Sequence, residues 1–184
     1  MKNTTTIAAL LVFISSTALA QSTSSSAGQN IILTLTDAIE FSFINTGNSV
    51  GNDVTLPFSN VNAYANGVES TAQELKVRSN KGFTVTVKTT ATNFSYNGSA
   101  TPVPVMPILQ VLGLQVTANG TGGNIAAPFA NSSYNTLSST SQNLINYGHR
   151  GGNQTFSIKY KATPGFAYPA GTYTAEIVYT ATQT

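Results

Sequence analysis

Few residues of this chain could carry out chemistry, and their spacing does not assemble a catalytic group. The single histidine, His149, lies in the glycine-rich stretch 147–152, and the chain contains no cysteine. Neither a Cys/His nucleophile pair nor a zinc site of cysteine and histidine ligands can be built from this set. We therefore predict that His149 is an exposed loop residue. We expect no catalytic residue, no metal site and no cofactor.

The carboxylates do not change this expectation. A glycosidase needs two of them at a defined separation in a cleft. Glu40 and Glu176 fall on the outward side of predicted strands, while Asp37, Asp53 and Glu69 lie near turn residues. These are positions typical of solvated carboxylates, so a hydrolase is the least favoured function.

The charge balance excludes a nucleic-acid binder. Eight Lys and Arg residues stand against six Asp and Glu residues, for a formal net charge of +2, which is far from the basic footprint of such proteins. Most cations fall on the polar side of predicted strands, where lysines discourage association between sheet edges. The alternative is a stripe that contacts an acidic polysaccharide or a partner subunit. These cations are Lys76, Arg78, Lys88, Lys159 and Lys161.

The elements that would position all these residues are strands. The closing segment, 171–182, alternates strictly: one face carries Tyr173, Ala175, Ile177, Tyr179 and Ala181, and the other carries mostly threonine. A period of two residues predicts a β-strand with one buried face. Such a strand must be paired on at least one side, so we expect it to lie inside a sheet.

The same alternation recurs along the chain. About eight to ten short strands predict an all-β fold, an antiparallel β-sandwich, with a barrel as the alternative architecture. The clearest alternating sets are Ile31, Leu33 and Leu35; Ile39, Phe41 and Phe43; Leu75 and Val77; Phe83, Val85 and Val87; Leu112, Leu114 and Val116; and Phe156, Ile158 and Tyr160.

Two further local predictions concern connections. The turn-like stretch 79–82 between two alternating segments predicts a hairpin. The Gly/Asn/Ser-rich stretch 118–152 predicts a long loop region, in which residues 138–147 could form one short helical turn.

The beginning of the chain has the composition of a secretory signal. Residues 1–20 contain Lys2, an apolar run and the small-x-small sequence Ala18–Ala20, which together predict a cleaved signal peptide. The apolar run is shorter than the roughly 20 residues that span a bilayer. We predict residues 21–28 to be a flexible Ser-rich leader and residues 29–184 to be a single β-sandwich domain. The expected location is the periplasm, the cell surface or the extracellular medium, with no membrane span.

Three stretches carry a resemblance: 170–181, 77–85, and Ile39–Phe41 with the alternating segment before it. They resemble the spore-coat-U-like proteins and archaic chaperone-usher pilins, which are secreted bacterial β-sandwiches. The resemblance implies an incomplete immunoglobulin-like sandwich whose missing strand comes from the N-terminal extension of the next subunit. By this resemblance residues 29–36 are the donor strand, with Ile31, Leu33 and Leu35 as the donated side chains. Tyr173, Ile177 and Tyr179 would flank the acceptor groove.

The sequence thus predicts a structural or adhesive surface subunit, pilus-like and self-associating, whose main partner is another copy of itself. The alternative is a monomeric carbohydrate- or cell-wall-binding module that completes its own sandwich. In that case Tyr134 and Tyr147, in the loop region, would contact the glycan.

Overall fold

The structure is a computed structural model that describes residues 25–44, 53–130 and 132–184. The predicted signal peptide lies outside these residues. The chain divides into two units, Met1–Leu35 and Thr36–Thr184. In the described part of the first unit, residues 25–35, there is neither helix nor strand. The apolar side chains of this segment are exposed: Ile31 to 82%, Leu33 to 82% and Leu35 to 88%.

The second unit consists of short strands. In chain order the strands are β1 (Ile39–Ile44), β2 (Val68–Glu69), β3 (Gln73–Ser79), β4 (Phe83–Thr89), β5 (Ser95–Asn97), β6 (Leu112–Asn119), β7 (Asn124–Ile125), β8 (Asn135–Thr136), β9 (Gln142–Gly148), β10 (Gly151–Ala162), β11 (Thr172–Thr174) and β12 (Ile177–Gln183). The two short helices of the described residues are α1 (Val61–Asn66) and α2 (Ile108–Val111).

The strands form two main sheets and one ribbon, and every described pairing is antiparallel. The large sheet has the order β1-β3-β10-β6-β8, with β2 paired to one end of β10. The small sheet has the order β12-β4-β9-β7, and β11 pairs with β5. The all-β, antiparallel, sandwich-like fold predicted from the sequence is confirmed. The strands outnumber the prediction because several of them have only two or three residues.

One core lies between the two sheets. Leu75 and Val77 of β3 and Val85 of β4 are completely buried, as are Ile158 of β10 and Leu144 of β9. On β3, β4 and β10 every second side chain is buried, because successive residues of a strand face opposite sides of its sheet. The alternation in the sequence therefore marks the inward faces of β3, β4 and β10 correctly.

The predicted hairpin at 79–82 is wrong. β3 lies in the large sheet and β4 in the small one, so the link crosses between sheets and pairs neither strand with the other. Both strands carry fully buried side chains. These side chains meet in the core between the two sheets, so β3 and β4 face each other and are not neighbours in one sheet. The link is held locally, because the Ser79 hydroxyl donates to Lys81 O (2.8 Å) and accepts from Lys81 N (3.2 Å).

The closing segment is two strands rather than one. The predicted alternation is present, since Tyr173, Ala175 and Ile177 all pack on the core. The pairing changes along the segment, however, because β11 pairs with β5 and β12 pairs with β4. The chain changes partner at Glu176, whose carbonyl accepts from Thr90 N (3.1 Å).

The loop region between β6 and β10 also differs from the sequence prediction. Residues 142–148 form strand β9 and not a helical turn. The neighbours Leu144 and Ile145 are both buried, and the ladder with β4 shifts register beside Ile145. This irregularity interrupts the period of two and hides the strand in the sequence.

The strand registers place the connecting segments at two ends of the sandwich. Links 36–38, 80–82 and 149–150 lie at one end, because Ser79 is opposite Ile39 and Gly151. We call this the charged end, since it carries Asp37, Lys81 and Arg150. Segments 54–67, 90–111 and 163–175 lie at the other, which we call the aromatic end.

Helix α1 at the aromatic end is fixed by its caps. The Asn60 side chain accepts from Ala63 N (2.9 Å) at the start, as expected of an N-cap. Gly67 ends the helix with φ of 80°, and its N–H donates to Ala63 O. A Cβ at Gly67 would lie 2.6 Å from Ala162 O.

Gly67→Ala is therefore expected to lower the free energy of unfolding by about 1–3 kcal/mol, because it adds both left-handed backbone strain and a clash with backbone. Gly152→Ala is the matched control, since a Cβ there meets no atom within 4 Å. Urea unfolding of both variants measures the difference. Equal stability of the two variants would contradict this account of the helix end.

Candidate functional site

Two strands of the second unit have an unpaired edge on the same side of the sandwich. β1 ends the large sheet and β12 ends the small one, and among the described residues no strand pairs with the outer edge of either. Their side chains meet, because the ring of Tyr179 lies 6.3 Å from that of Phe41 and 6.1 Å from that of Phe43. We call the apolar surface that these two strands share the edge groove. It is lined by Phe41 and Phe43 of β1 and by Ile177, Tyr179 and Ala181 of β12.

The inward-facing side chains of the edge groove are only half-buried. Phe41, Phe43, Ile177, Tyr179 and Ala181 all pack on the core, yet the corresponding side chains of the central strands are completely buried. A central strand has neighbours on both sides, whereas β1 and β12 each lack one. The groove therefore combines apolar surface in contact with water and backbone edges open to pairing.

The edge groove is closed at the charged end by Gln183. Its side-chain nitrogen lies 2.8 Å from Ala38 O, 3.1 Å from the Ser79 hydroxyl and 3.0 Å from Asn80 Oδ1. Asn80 also accepts from Ala38 N (3.0 Å) and donates to Thr36 O (2.7 Å). These bonds join the last residues of β12 to the segment that enters β1.

Ion pairs contribute little to this closure. Lys81 and Asp37 are 2.7 Å apart and Arg78 and Glu40 are 3.1 Å apart, but each of the four side chains is more than half exposed. Exposed pairs of this kind are worth roughly 0–1 kcal/mol.

Tyr179 anchors β12 from inside the sandwich. Its hydroxyl forms a 2.6 Å hydrogen bond with the hydroxyl of Tyr160 on β10. Burial raises the pKa of Tyr160 to about 12. Burial, and then the nearby Tyr160, raise the pKa of Tyr179 well above its ordinary value. Tyr179 as a whole is half-buried, and its hydroxyl reaches the buried Tyr160.

We expect alkaline pH to weaken the fold through this pair. In the unfolded chain both hydroxyls titrate near pH 10. Above that pH the unfolded chain loses protons that the folded chain keeps, so stability falls from about pH 10 up to the folded pKa values and is unaffected below about pH 9. The slope is on the order of 1 kcal/mol per pH unit for each buried hydroxyl.

Urea unfolding between about pH 8 and pH 11 measures this slope, and Tyr179→Phe should make it shallower because one titrating group is gone. Tyr134 contributes to the slope that remains, since burial and then the neighbouring Glu69 carboxylate raise its pKa to about 12. A slope that is identical in wild type and Tyr179→Phe would contradict the assignment.

The structure brings together some of the residues that the sequence placed in an acceptor groove. Ile177 and Tyr179 both line the edge groove. Tyr173 does not lie on the same strand, because it belongs to β11 and pairs with Tyr96. Phe41 and Phe43 belong to the edge groove but were not predicted as site residues. The sequence shows that Phe41 and Phe43 alternate with polar residues. That β1 lies next to β12 follows only from the order of the strands in the two sheets.

Tyr134 and Tyr147 do not share a site. The Tyr134 ring lies under the Lys161 ammonium, 5.8 Å from it, near the far end of β10. Tyr147 is 74% exposed and precedes the start of β10 at Gly151. Ten residues of strand separate Gly151 from Lys161, which is roughly 33 Å. One small glycan cannot contact both rings.

The described part of the chain shows no metal site. No cluster of three or more His, Asp or Glu side chains there could hold a metal ion. His149 is exposed in the β9–β10 link, as expected. The stretch 47–51 matches the G-x-S-x-G pattern of serine hydrolases and lies outside the described residues.

Comparisons with known proteins give no indication of function. No protein-family model matches the chain, and no curated protein matches it. Within the described residues, no helix is long and apolar enough to cross a membrane.

Proposed function

We propose that this protein is a secreted structural subunit of the bacterial surface that assembles head to tail by strand donation. In this proposal residues 29–36 of one copy fill the edge groove of the next. The observation that carries it is a match within one chain. An exposed segment has alternating Ile and Leu side chains, and two strands with unpaired outer edges share a half-buried apolar surface.

The driving force is burial of apolar surface together with backbone pairing. Ile31, Leu33 and Leu35 are each more than four-fifths exposed, and complete burial of such a side chain is worth about 1.5–3 kcal/mol. An added strand would also give hydrogen-bond partners to the outer edge of β12, as in other cases of strand addition to a sheet edge. The same strand would cover Phe41 and Phe43 from the side that is open to water.

The lengths are compatible. Eight residues of extended chain, 29–36, span roughly 26 Å, and the seven residues of β12 span roughly 23 Å. Donor and groove are different surfaces, so the contact is heterologous and continues from copy to copy. It therefore produces a filament. With the donated strand in place, the two sheets would form the immunoglobulin-like sandwich that the resemblance implies.

The test is electron microscopy and size-exclusion chromatography of three proteins: the chain from Gln21, the same chain without residues 21–28, and the chain without residues 21–36. We expect filaments from the first two and monomers from the third, because only the third lacks the donor. The second protein is the control for shortening the chain.

A full-length protein that stays monomeric at high concentration would refute the proposal. Monomers whose stability falls on deletion of residues 21–36 would instead support the alternative, in which the segment fills the groove of its own chain.

A further inference from the structure

A cluster of aromatic side chains covers the aromatic end of the sandwich. It contains two groups of contacting rings. Tyr64 contacts Phe58 and Phe166, and Tyr173 contacts Tyr96 and Tyr168. One loop joins the two groups, because Phe166 of the first and Tyr168 of the second are only two residues apart. We call these six residues the aromatic cap.

Phe166 is the exposed member of the aromatic cap. Its ring is stacked on that of Tyr64, with centroids 5.6 Å apart and planes inclined by 20°, yet the residue is 68% exposed. Tyr64 thus covers one face of the Phe166 ring and leaves the other face to solvent. Tyr64 is itself supported from below by Phe58, at 5.4 Å.

The loop that presents Phe166 is anchored at its far side. The Tyr96 hydroxyl donates to Ala170 O (3.0 Å) and the Tyr173 hydroxyl donates to Pro169 O (2.9 Å). The other side of the stack rests on α1, which is capped at both ends. An exposed ring held in this way loses little conformational freedom when a ligand binds, and such preorganisation increases affinity.

The segments that carry the aromatic cap have no charged side chain, and Lys161 and Glu69, which lie beside them, are paired with each other at 3.2 Å. There is no Asp, Glu, Lys, Arg or His in residues 54–68, 89–148 or 162–175, which supply the segments of this end. The side chains available there are amides, hydroxyls and apolar groups. A charged ligand would find no ionic partner in these segments, so they favour a neutral ligand with hydroxyl groups.

We propose that the aromatic cap binds a neutral glycan, with one pyranose ring lying on the free face of Phe166. The C–H face of a pyranose is flat and apolar and gains dispersion contacts over an aromatic ring. Its hydroxyls then point to the side, where hydroxyl and amide groups can fix its orientation. This binding function goes beyond assembly and does not depend on it, because the site lies outside the edge groove.

Isothermal titration of the soluble protein with cellohexaose, maltohexaose and chitohexaose tests the proposal, with polygalacturonate as the acidic probe. We expect at least one neutral hexasaccharide to bind and polygalacturonate not to bind. Phe166→Ala should weaken binding by about tenfold or more, since one stacking contact of roughly 1.4 kcal/mol corresponds to that factor. Tyr147→Ala, which removes an equally exposed ring at the charged end, should leave binding unchanged.

Two conservative variants separate ring stacking from general apolar contact. Phe166→Tyr keeps the flat face and should retain binding, while Phe166→Leu keeps an apolar side chain without that face and should lose it. The proposal is overturned if none of the neutral hexasaccharides binds at millimolar concentration, if Phe166→Ala binds like wild type, or if Phe166→Leu retains full affinity. Filament formation by these variants should be normal, so failure here leaves the assembly proposal intact.

Discussion

Leu33→Asp is expected to abolish filaments and leave a folded monomer. Leu33 lies in the middle of the proposed donor strand and is 82% exposed in the free chain, so an aspartate costs nothing there until assembly. In the edge groove of a second copy, the same carboxylate would be buried among apolar side chains of β1 and β12 without a partner, which costs several kcal/mol. Size-exclusion chromatography and circular dichroism measure assembly and folding separately.

The matched control is Thr34→Asp, one residue along, whose side chain would point away from the groove. It should still form filaments. A mixing experiment sharpens the test, because Leu33→Asp keeps an intact groove and can accept a donor without passing one on. Added to wild type in increasing amounts, it should shorten the filaments. Unchanged assembly of Leu33→Asp would disprove strand donation through this face.

Phe156→Ala is expected to lower the free energy of unfolding by about 3–5 kcal/mol, as is usual when a large buried side chain leaves a cavity. Phe156 is 1% exposed and lies on β10, the longest strand of the large sheet. Its ring also stacks against Phe41, with centroids 6.3 Å apart. The substitution therefore removes the support of β1 as well as core volume. Equilibrium unfolding in urea measures the loss.

Phe166→Ala is the control for the same chemical truncation at an exposed position. It should change stability by less than about 1 kcal/mol, as surface substitutions usually do. A similar loss in both variants would mean that the aromatic end contributes to the core far more than its exposure indicates.

The alternation of apolar residues predicts the strands well, because in a sandwich each strand buries one face. β3, β4, β6 and β10 all lie where the period of two places them. Partners are harder to predict. Residues 79–82 contain the turn residues that favour a hairpin, and the same residues also suit a link between sheets. Only the packing of Leu75 and Val77 against the opposite sheet decides between the two.

The edge groove can be predicted only in part from the sequence, because strand partners are not evident from local patterns. Ile177 and Tyr179 are recognisable as an inward face, but a strand edge is a property of the sheet order and leaves no local mark. Phe41 and Tyr179 are far apart in the chain and meet because β1 and β12 end different sheets on one side. Tyr173 shares the alternation of β12, yet a change of partner strand at Glu176 moves it into the aromatic cap.

The order of strands also determines when this polypeptide can fold. Val178 lies opposite Lys88, Gln154 opposite Val77 and Tyr160 opposite Leu114, so each sheet joins segments that are synthesised far apart. Topologies dominated by such distant pairings fold slowly, because the entropy of closing long loops is lost before contacts form. While the chain is being synthesised, β4 stays unpaired on one side until β12 has emerged. We expect the incompletely folded protein to need a chaperone, or a low concentration, to avoid aggregation through its unpaired strands.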